Sequence, residues 1–226
     1  GIFAREVLLE QARAARRILE RRRPDRVVIF GGDCSVDFAP FAYLNERYDG
    51  DLALLWLDAH PDVATPGGDE RNVNFHAMVL SALLGIGDPE FVAEVAKPVG
   101  PGRVLYAGLR TALDELDNLQ ERFGISIPNA TVEQVEMDSS AVLSWLRGSG
   151  TSHVAVHFDL DVLEPADFSS TFFPESKGLK MGTAVRLLAD VARDFDVVGL
   201  GITEYVPRDA ILLSDMLRHL PIVGDG

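Results

Sequence analysis

With a single cysteine, Cys34, the chain can form no intrachain disulfide, and a reducing, cytoplasmic setting is expected. No apolar run is long enough to span a bilayer, and no basic stretch followed by an apolar one opens the sequence, so no membrane partner is expected. Basic residues are scarce: 21 Lys and Arg against 35 Asp and Glu leave a net charge of −14. A nucleic-acid partner is excluded on that ground, because phosphate binding relies on clustered Lys and Arg. Phosphate-cradling loops are missing too. Gly31-Gly32 follows an apolar run but lacks the third glycine of a dinucleotide loop, and there is no Walker loop. No internal repeat or low-complexity linker divides the chain. It opens at Gly1 without an initiator Met, which reads as a longer protein missing an N-terminal segment.

What is present is core-forming material. The 226 residues are 47% hydrophobic, enough for one α/β domain over residues 1–226. Apolar runs alternate with amphipathic stretches, the pattern of a mostly parallel sheet in a three-layer α/β/α sandwich. Strands are expected at 26–31, 52–58, 103–107, 125–127, 153–159 and 197–202. Helices are expected at 4–23, 35–46, 75–84, 89–96, 112–123, 139–147, 182–194 and 209–219. Two long polar loops, 63–74 and 164–181, follow strand ends, where open α/β sheets bind ligands.

Acidic and imidazole side chains collect at those strand ends. In Asp58-Ala59-His60-Pro61-Asp62 the alternate residues carry ligand groups, and an extended chain points positions i, i+2 and i+4 to one side. The other reading is a helix N-terminus capped by Asp58 or Asp62. Asp159-Leu160-Asp161 repeats the pattern after Val154-Ala155-Val156-His157-Phe158. Two aspartates spaced this way at a strand end are uncomfortable in a buried place without a cation. Oxygen-rich ligation with one imidazole favours a hard divalent ion such as Mn²⁺ or Mg²⁺, with Zn, Fe or Co as alternatives.

These motifs resemble the ureohydrolase superfamily, which includes arginase, agmatinase, guanidinobutyrase and formimidoylglutamase. Its pattern runs Gly-Gly-Asp-His-Ser, Asp-Ala-His-x-Asp, Ser-x-Asp-x-Asp-x-x-Asp-Pro and a late Glu after a strand. This chain has Gly31-Gly32-Asp33-Cys34-Ser35, Asp58-Ala59-His60-Pro61-Asp62, His157-Phe158-Asp159-Leu160-Asp161-Val162-Leu163-Glu164-Pro165, and Glu204 in Gly201-Ile202-Thr203-Glu204-Tyr205. The resemblance implies a hydrolase of linear amidine C–N bonds in guanidino or formimino small molecules, acting through a hydroxide shared by a Mn²⁺ pair. By analogy one ion takes Asp58, Asp62, Asp159 and residue 34, and the other takes Asp58, His60, Asp159 and Asp161. Glu204 is implied as acceptor for the cationic head group. His76, in Asn74-Phe75-His76-Ala77, resembles the family's Asn-x-His-Gly segment, where the histidine shuttles protons; its other reading is a packed or capping histidine. Asn72 and Asn74 are candidates for substrate binding. A homo-oligomer, trimer or hexamer, is implied by analogy only.

The chain departs from the pattern in places that bear on chemistry. Cys34 stands where the family has its first histidine ligand. It can ligate and shift preference toward Zn or Fe, remain a neutral thiol beside a largely mononuclear site, or mark a chain that binds a metal or small ligand without turnover. His157 replaces the family's common Ser, with a supporting role around the metal as its reading. Arginases carry Asp residues after their Gly-x-Arg segment to hold an α-amino group; here Thr111-Ala112-Leu113 follows Arg110, with Asp114 and Glu115 beyond. The 168–173 loop is expected to add an apolar wall, which points to a shorter or less polar substrate than L-arginine.

Overall fold

Every strand of the sheet runs parallel, so each chemistry-bearing strand end emerges on the same rim. The computed structural model describes residues 1–67 and 73–223. Helix α1 (Arg5–Arg22) leads into β1 (Val27–Phe30), a 3-10 turn over Cys34–Asp37 and α2 (Phe38–Arg47). Strand β2 (Leu52–Leu57) follows, then a 3-10 turn over Phe75–Met78 and the short helices α3 (Val79–Leu83) and α4 (Pro89–Ala93). Next come β3 (Val104–Ala107), α5 (Leu113–Phe123), β4 (Asn129–Ala130), α6 (Val132–Met137) and α7 (Ser140–Ser149). The chain continues through β5 (His153–Asp159), a 3-10 turn over Leu160–Val162, α8 (Met181–Asp194), β6 (Asp196–Thr203) and α9 (Ala210–Leu217). Among the described residues no helix is long and apolar enough to cross a membrane.

The apolar run of β2 conceals a period of two. Leu52, Leu54 and Trp56 face a core shared with α2, α3 and α4, while Ala53, Leu55 and Leu57 face a second core with α7 and α8. A strand buried on both faces needs no polar alternation, and the result is the three-layer sandwich that the sequence pattern implied.

The strand order β1-β6-β5-β2-β3-β4 places the site. From β2 the chain moves outward to β3, and from β5 it moves the opposite way to β6. The connections leaving the paired carboxyl ends of β2 and β5 therefore diverge, leaving a crevice at the topological switch point. Asp58 and Asp159 are the residues at that crevice.

Two local expectations are corrected. The strand expected at 125–127 lies instead at Asn129–Ala130, paired with Tyr106 and Ala107. Gly124 ends α5 in the left-handed conformation, and Pro128 has no N–H to give to a ladder, so it contributes only its carbonyl, accepting from Tyr106 N–H, and the strand proper follows it. Helix α6 was not expected; Thr131 and Gln134 form a reciprocal capping box that starts it.

Close packing at Gly201 reaches the site region. A Cβ there would fall 1.8 Å from a carboxylate oxygen of the buried Asp37. Gly201→Ala is expected to lower stability by about 1–3 kcal/mol, because Asp37 must move in a full core. Urea melts check this: an unchanged midpoint would show that the Asp37 carboxylate is not fixed there.

Candidate metal centre

Beyond β2 the chain stays extended long enough to turn Asp58 and His60 toward β5. Asp58 Oδ1 accepts from the His60 backbone N–H at 2.7 Å, and Asp58 Oδ2 accepts from Trp56 Nε1 at 3.2 Å. Asp161 Oδ1 accepts from the Ala59 N–H at 3.1 Å, while its Oδ2 lies 2.9 Å from His60 Nδ1. Asp159 caps its own 3-10 turn by accepting from the Asp161 N–H at 2.8 Å. The turn after Asp58 is stitched from outside, since Ala59 O accepts from the N–H groups of Arg110 and Thr111 and Tyr106 Oη donates to Pro61 O. These backbone donors fix the carboxylates in place while leaving oxygens pointing into the crevice.

From the other side come Cys34 and Glu204. The thiol donates to Asp159 Oδ2 at 3.1 Å and lies 3.7 Å from Glu204 Oε1. Glu204 follows β6 with φ of 62°, its N–H bonded to Gly32 O. That left-handed turn aims its side chain inward rather than along the sheet. His76 Nδ1 stands 3.9 Å from Glu204 Oε1, and its ring lies parallel to that of Phe173 with centroids 6.4 Å apart. All of these side chains line one cavity of about 190 Å³, whose wall also includes Ala112 and Glu115.

Of the residues singled out from the sequence, the fold brings Cys34, Asp58, His60, Asp62, His76, Asp159, Asp161 and Glu204 to this cavity. Asn74 is exposed just ahead of the 75–78 turn and is not among the lining residues, and Asn72 lies outside the described residues. Glu115, set aside as displaced, is brought back by the first turn of α5. Of the 168–173 loop only Phe173 reaches the cavity, because Phe168 is buried in the core. Sequence reasoning missed Asp37, whose Oδ2 lies 2.8 Å from His157 Nδ1 with both side chains fully buried. Its signal was faint: an acid three residues past Cys34 looks like one more helix cap.

Electrostatics separates the carboxylates. Burial acts against the Asp58 anion, but the facing imidazoles of His157 and His60 overcome it and hold Asp58 below the ordinary carboxylate range. Burial, then the charges of Asp161 and Asp58, push Asp159 well up, and burial with the charge of Asp58 does the same to Asp62. Burial and the charge of Asp58 raise Asp161 to about 7; burial and the charge of Asp159 raise Glu204 to about 7. Burial opposes protonation of His60, yet its bonds to Asp161 and Asp58 carry it up to about 11. Burial lowers His76 and so favours its neutral imidazole.

Divalent cations fit this donor set. Ligand atoms of Asp58, His60 and Asp161 lie within 4.8 Å of one another, as do those of Cys34, Asp58, Asp62 and His157 and those of Cys34, His76 and Glu204. Among the described residues Asp62 Oδ2 is buried with no hydrogen-bond partner, an orphaned oxygen that a bound cation would complete.

A model of the Arginase family matches residues 3–211. The chain belongs to the Arginase family. The arginase of Eremothecium gossypii is 28% identical over 187 residues, covering 80% of this chain and 46% of that protein. The arginase of Entamoeba histolytica is 23% identical over 188 residues, covering 80% of this chain and 62% of that protein. The chain thus spans about half the length of the curated relatives it matches. Among solved structures, Bacillus cereus arginase superposes with a TM-score of 0.79 at 25% identity, covering 95% of this chain and 76% of the other. Proclavaminate amidino hydrolase from Streptomyces clavuligerus shares the fold alone, with a TM-score of 0.66 at 22% identity over 88% of this chain and 62% of the other. Metal binding is a property of the Arginase family, and this member keeps a cluster that suits it.

Raised carboxylate pKa values carry a sign. In chelator, native Asp161 and Glu204 hold protons up to about 7, whereas unfolded carboxylates release them near pH 4. Their contribution to stability is complete at low pH and is lost as pH rises from about 4 to about 7. Asp58, shifted the other way, acts below that window. Thermal melts of metal-free protein should therefore show Tm falling across this interval, and added Mn²⁺ should raise it most near neutrality, where protons no longer compete. A flat profile with no response to Mn²⁺ would show that the cluster is not crowded as described.

Proposed function

We propose that this chain forms the catalytic core of a metal-dependent hydrolase that cleaves the C–N bond of a linear amidine in a small guanidino or formimino compound. The observation that carries the reading is the convergence of Asp58, His60, Asp62, Asp159 and Asp161 on the switch-point crevice. Membership in the Arginase family supports it. Asp58, Asp62, Asp159 and Cys34 would hold one ion, and Asp58, His60, Asp159 and Asp161 the other, with Mn²⁺ as the ion best matched to a mostly oxygen set. Bound divalent cations supply acidity, making hydroxide available at neutral pH.

The chain's own groups do the rest. Glu204 presents carboxylate oxygens in the cavity and accepts hydrogen bonds from the amidine N–H groups, turning the central carbon toward the carboxylate cluster. His76, beside Glu204, would act first as a base, taking up a proton on its neutral imidazole, and then pass that proton to the departing nitrogen. Phe173 closes the wall over His76 and favours a compact head group. Glu115 adds a polar side chain to the wall near the start of α5. One observation favours a second reading, a chain that holds a single ion without turnover: the Cys34 thiol donates a hydrogen bond to Asp159, so the thiol and that carboxylate satisfy each other.

Incubating Mn²⁺-loaded protein with guanidino and formimino compounds, and measuring urea, ammonia and formamide, separates the readings. Release of one of these, abolished by chelation, is expected; full metal loading with no release from any compound favours the second reading. Asp159→Ala is expected to weaken metal retention by more than the roughly 10–100-fold typical of supporting residues, and to abolish turnover. Activity of that variant surviving chelation would refute metal-dependent hydrolysis. His76→Asn should lower kcat by about 10²–10⁴-fold with metal content unchanged, measured by elemental analysis beside the assay.

A further inference from the structure

Beneath the carboxylates lies a buried imidazole that the proposed chemistry has not used. His157 precedes Asp159 by two residues on β5, so both side chains stand on the same face. Its Nδ1 donates to Asp37 Oδ2 at 2.8 Å, and its ring stacks on Trp56 with centroids 3.8 Å apart and planes 15° apart. Gly201 leaves the space that Asp37 fills. These contacts fix the ring's orientation, with Nδ1 on Asp37 and Nε2 turned toward Asp58.

Nε2 is aimed at acceptors. It is fully buried, makes no hydrogen bond among the described residues and stands 3.4 Å from Asp58 Oδ2. Asp62 Oδ2 is similarly orphaned, and ligand atoms of Cys34, Asp58, Asp62 and His157 fall within 4.8 Å of one another. A ring nitrogen and carboxylate oxygens gathered in a dry interior need a cation among them, a proton or a metal ion, and four ligand atoms converging on one point are more than a single proton can serve. A carboxylate holding the far nitrogen of an imidazole is also how metal-bound histidines are oriented.

We propose that His157 Nε2 is a ligand of the divalent ion shared by Asp58 and Asp62, with Asp37 as its positioning residue. The imidazole absent at position 34 is thereby supplied from the strand below, and Cys34 is relieved of being that ion's only ligand from outside the two Asp motifs. This rests on the metal-site reading above and changes one ligand within it.

The test is Mn²⁺ binding, followed by calorimetry and elemental analysis on the full chain, with folding checked by circular dichroism. His157→Gln should lose one ion per chain or bind it at least about 100-fold more weakly. The double variant Cys34→His with His157→Ser, which moves the imidazole to the other wall, should recover it. Unchanged stoichiometry and affinity in His157→Gln would overturn the assignment, and would mean that a proton rather than a metal joins Nε2 to Asp58. Absence of Mn²⁺ uptake by the unaltered chain would overturn the metal-site reading itself, whereas loss in Asp159→Ala but not in His157→Gln overturns the ligand assignment alone. If His157→Gln does not fold, the chain carrying His60→Ala and His76→Ala decides, since His157 is then the sole imidazole at the cluster among the described residues. Electron spin echo modulation of its bound Mn²⁺ should show a directly coordinated nitrogen. No such nitrogen, or no bound Mn²⁺, counts against the proposal.

Discussion

Carboxylates from Asp58, Asp62, Asp159, Asp161 and Glu204 meet in a space where water is largely excluded, and their mutual repulsion governs the region around them. Each buried charge is costly by itself, and neighbours of the same sign raise that cost. The surrounding chain responds with donors: the N–H groups of Ala59, His60 and Asp161, the indole of Trp56, the hydroxyl of Thr203 and the thiol of Cys34 all face carboxylate oxygens. Two imidazoles flank Asp58, which is why that residue alone among the aspartates of the crevice is driven toward its anion. The layout concentrates negative potential where the connections from two neighbouring strands part, and the fold holds it there with main-chain and side-chain donors of its own.

Cys34 looks different once this crowding is known. Burial, then the charges of Asp62 and Asp159, push its thiol well above the ordinary cysteine value. Without a cation it remains a proton donor, and its proton satisfies Asp159. The position therefore serves as a neutral brace in the empty cluster, whereas an imidazole there would present a lone pair to the same oxygens.

Much of this was visible along the chain because strands buried on both faces leave an unbroken apolar signature, and a polar residue at the end of one stands out. Asp58, His60, Asp159 and Asp161 were legible for that reason, as was the parallel architecture. What stayed hidden depends on contacts between distant segments. Asp37 carries no local sign that it will sit on Gly201 and hold His157, and Glu115 reaches the cavity only because α5 begins where it does. Strand β4, with two residues, is too short for any periodicity to register, and α6 announces itself only through the Thr131–Gln134 pair.

Arg110 shows how the cavity's rim is assembled. Its guanidinium donates to the main-chain carbonyls of Gly108, Asp161, Val162, Glu175 and Ser176, and the planar fork can grip several oxygens at once. No side chain of the loop it fastens takes part in those bonds. Because those bonds engage peptide groups alone, the backbone at 175–176 and the turn at 161–162 are tied to each other through one guanidinium, so the height of the cavity's rim above the carboxylates is set by a residue that does not itself line the cavity.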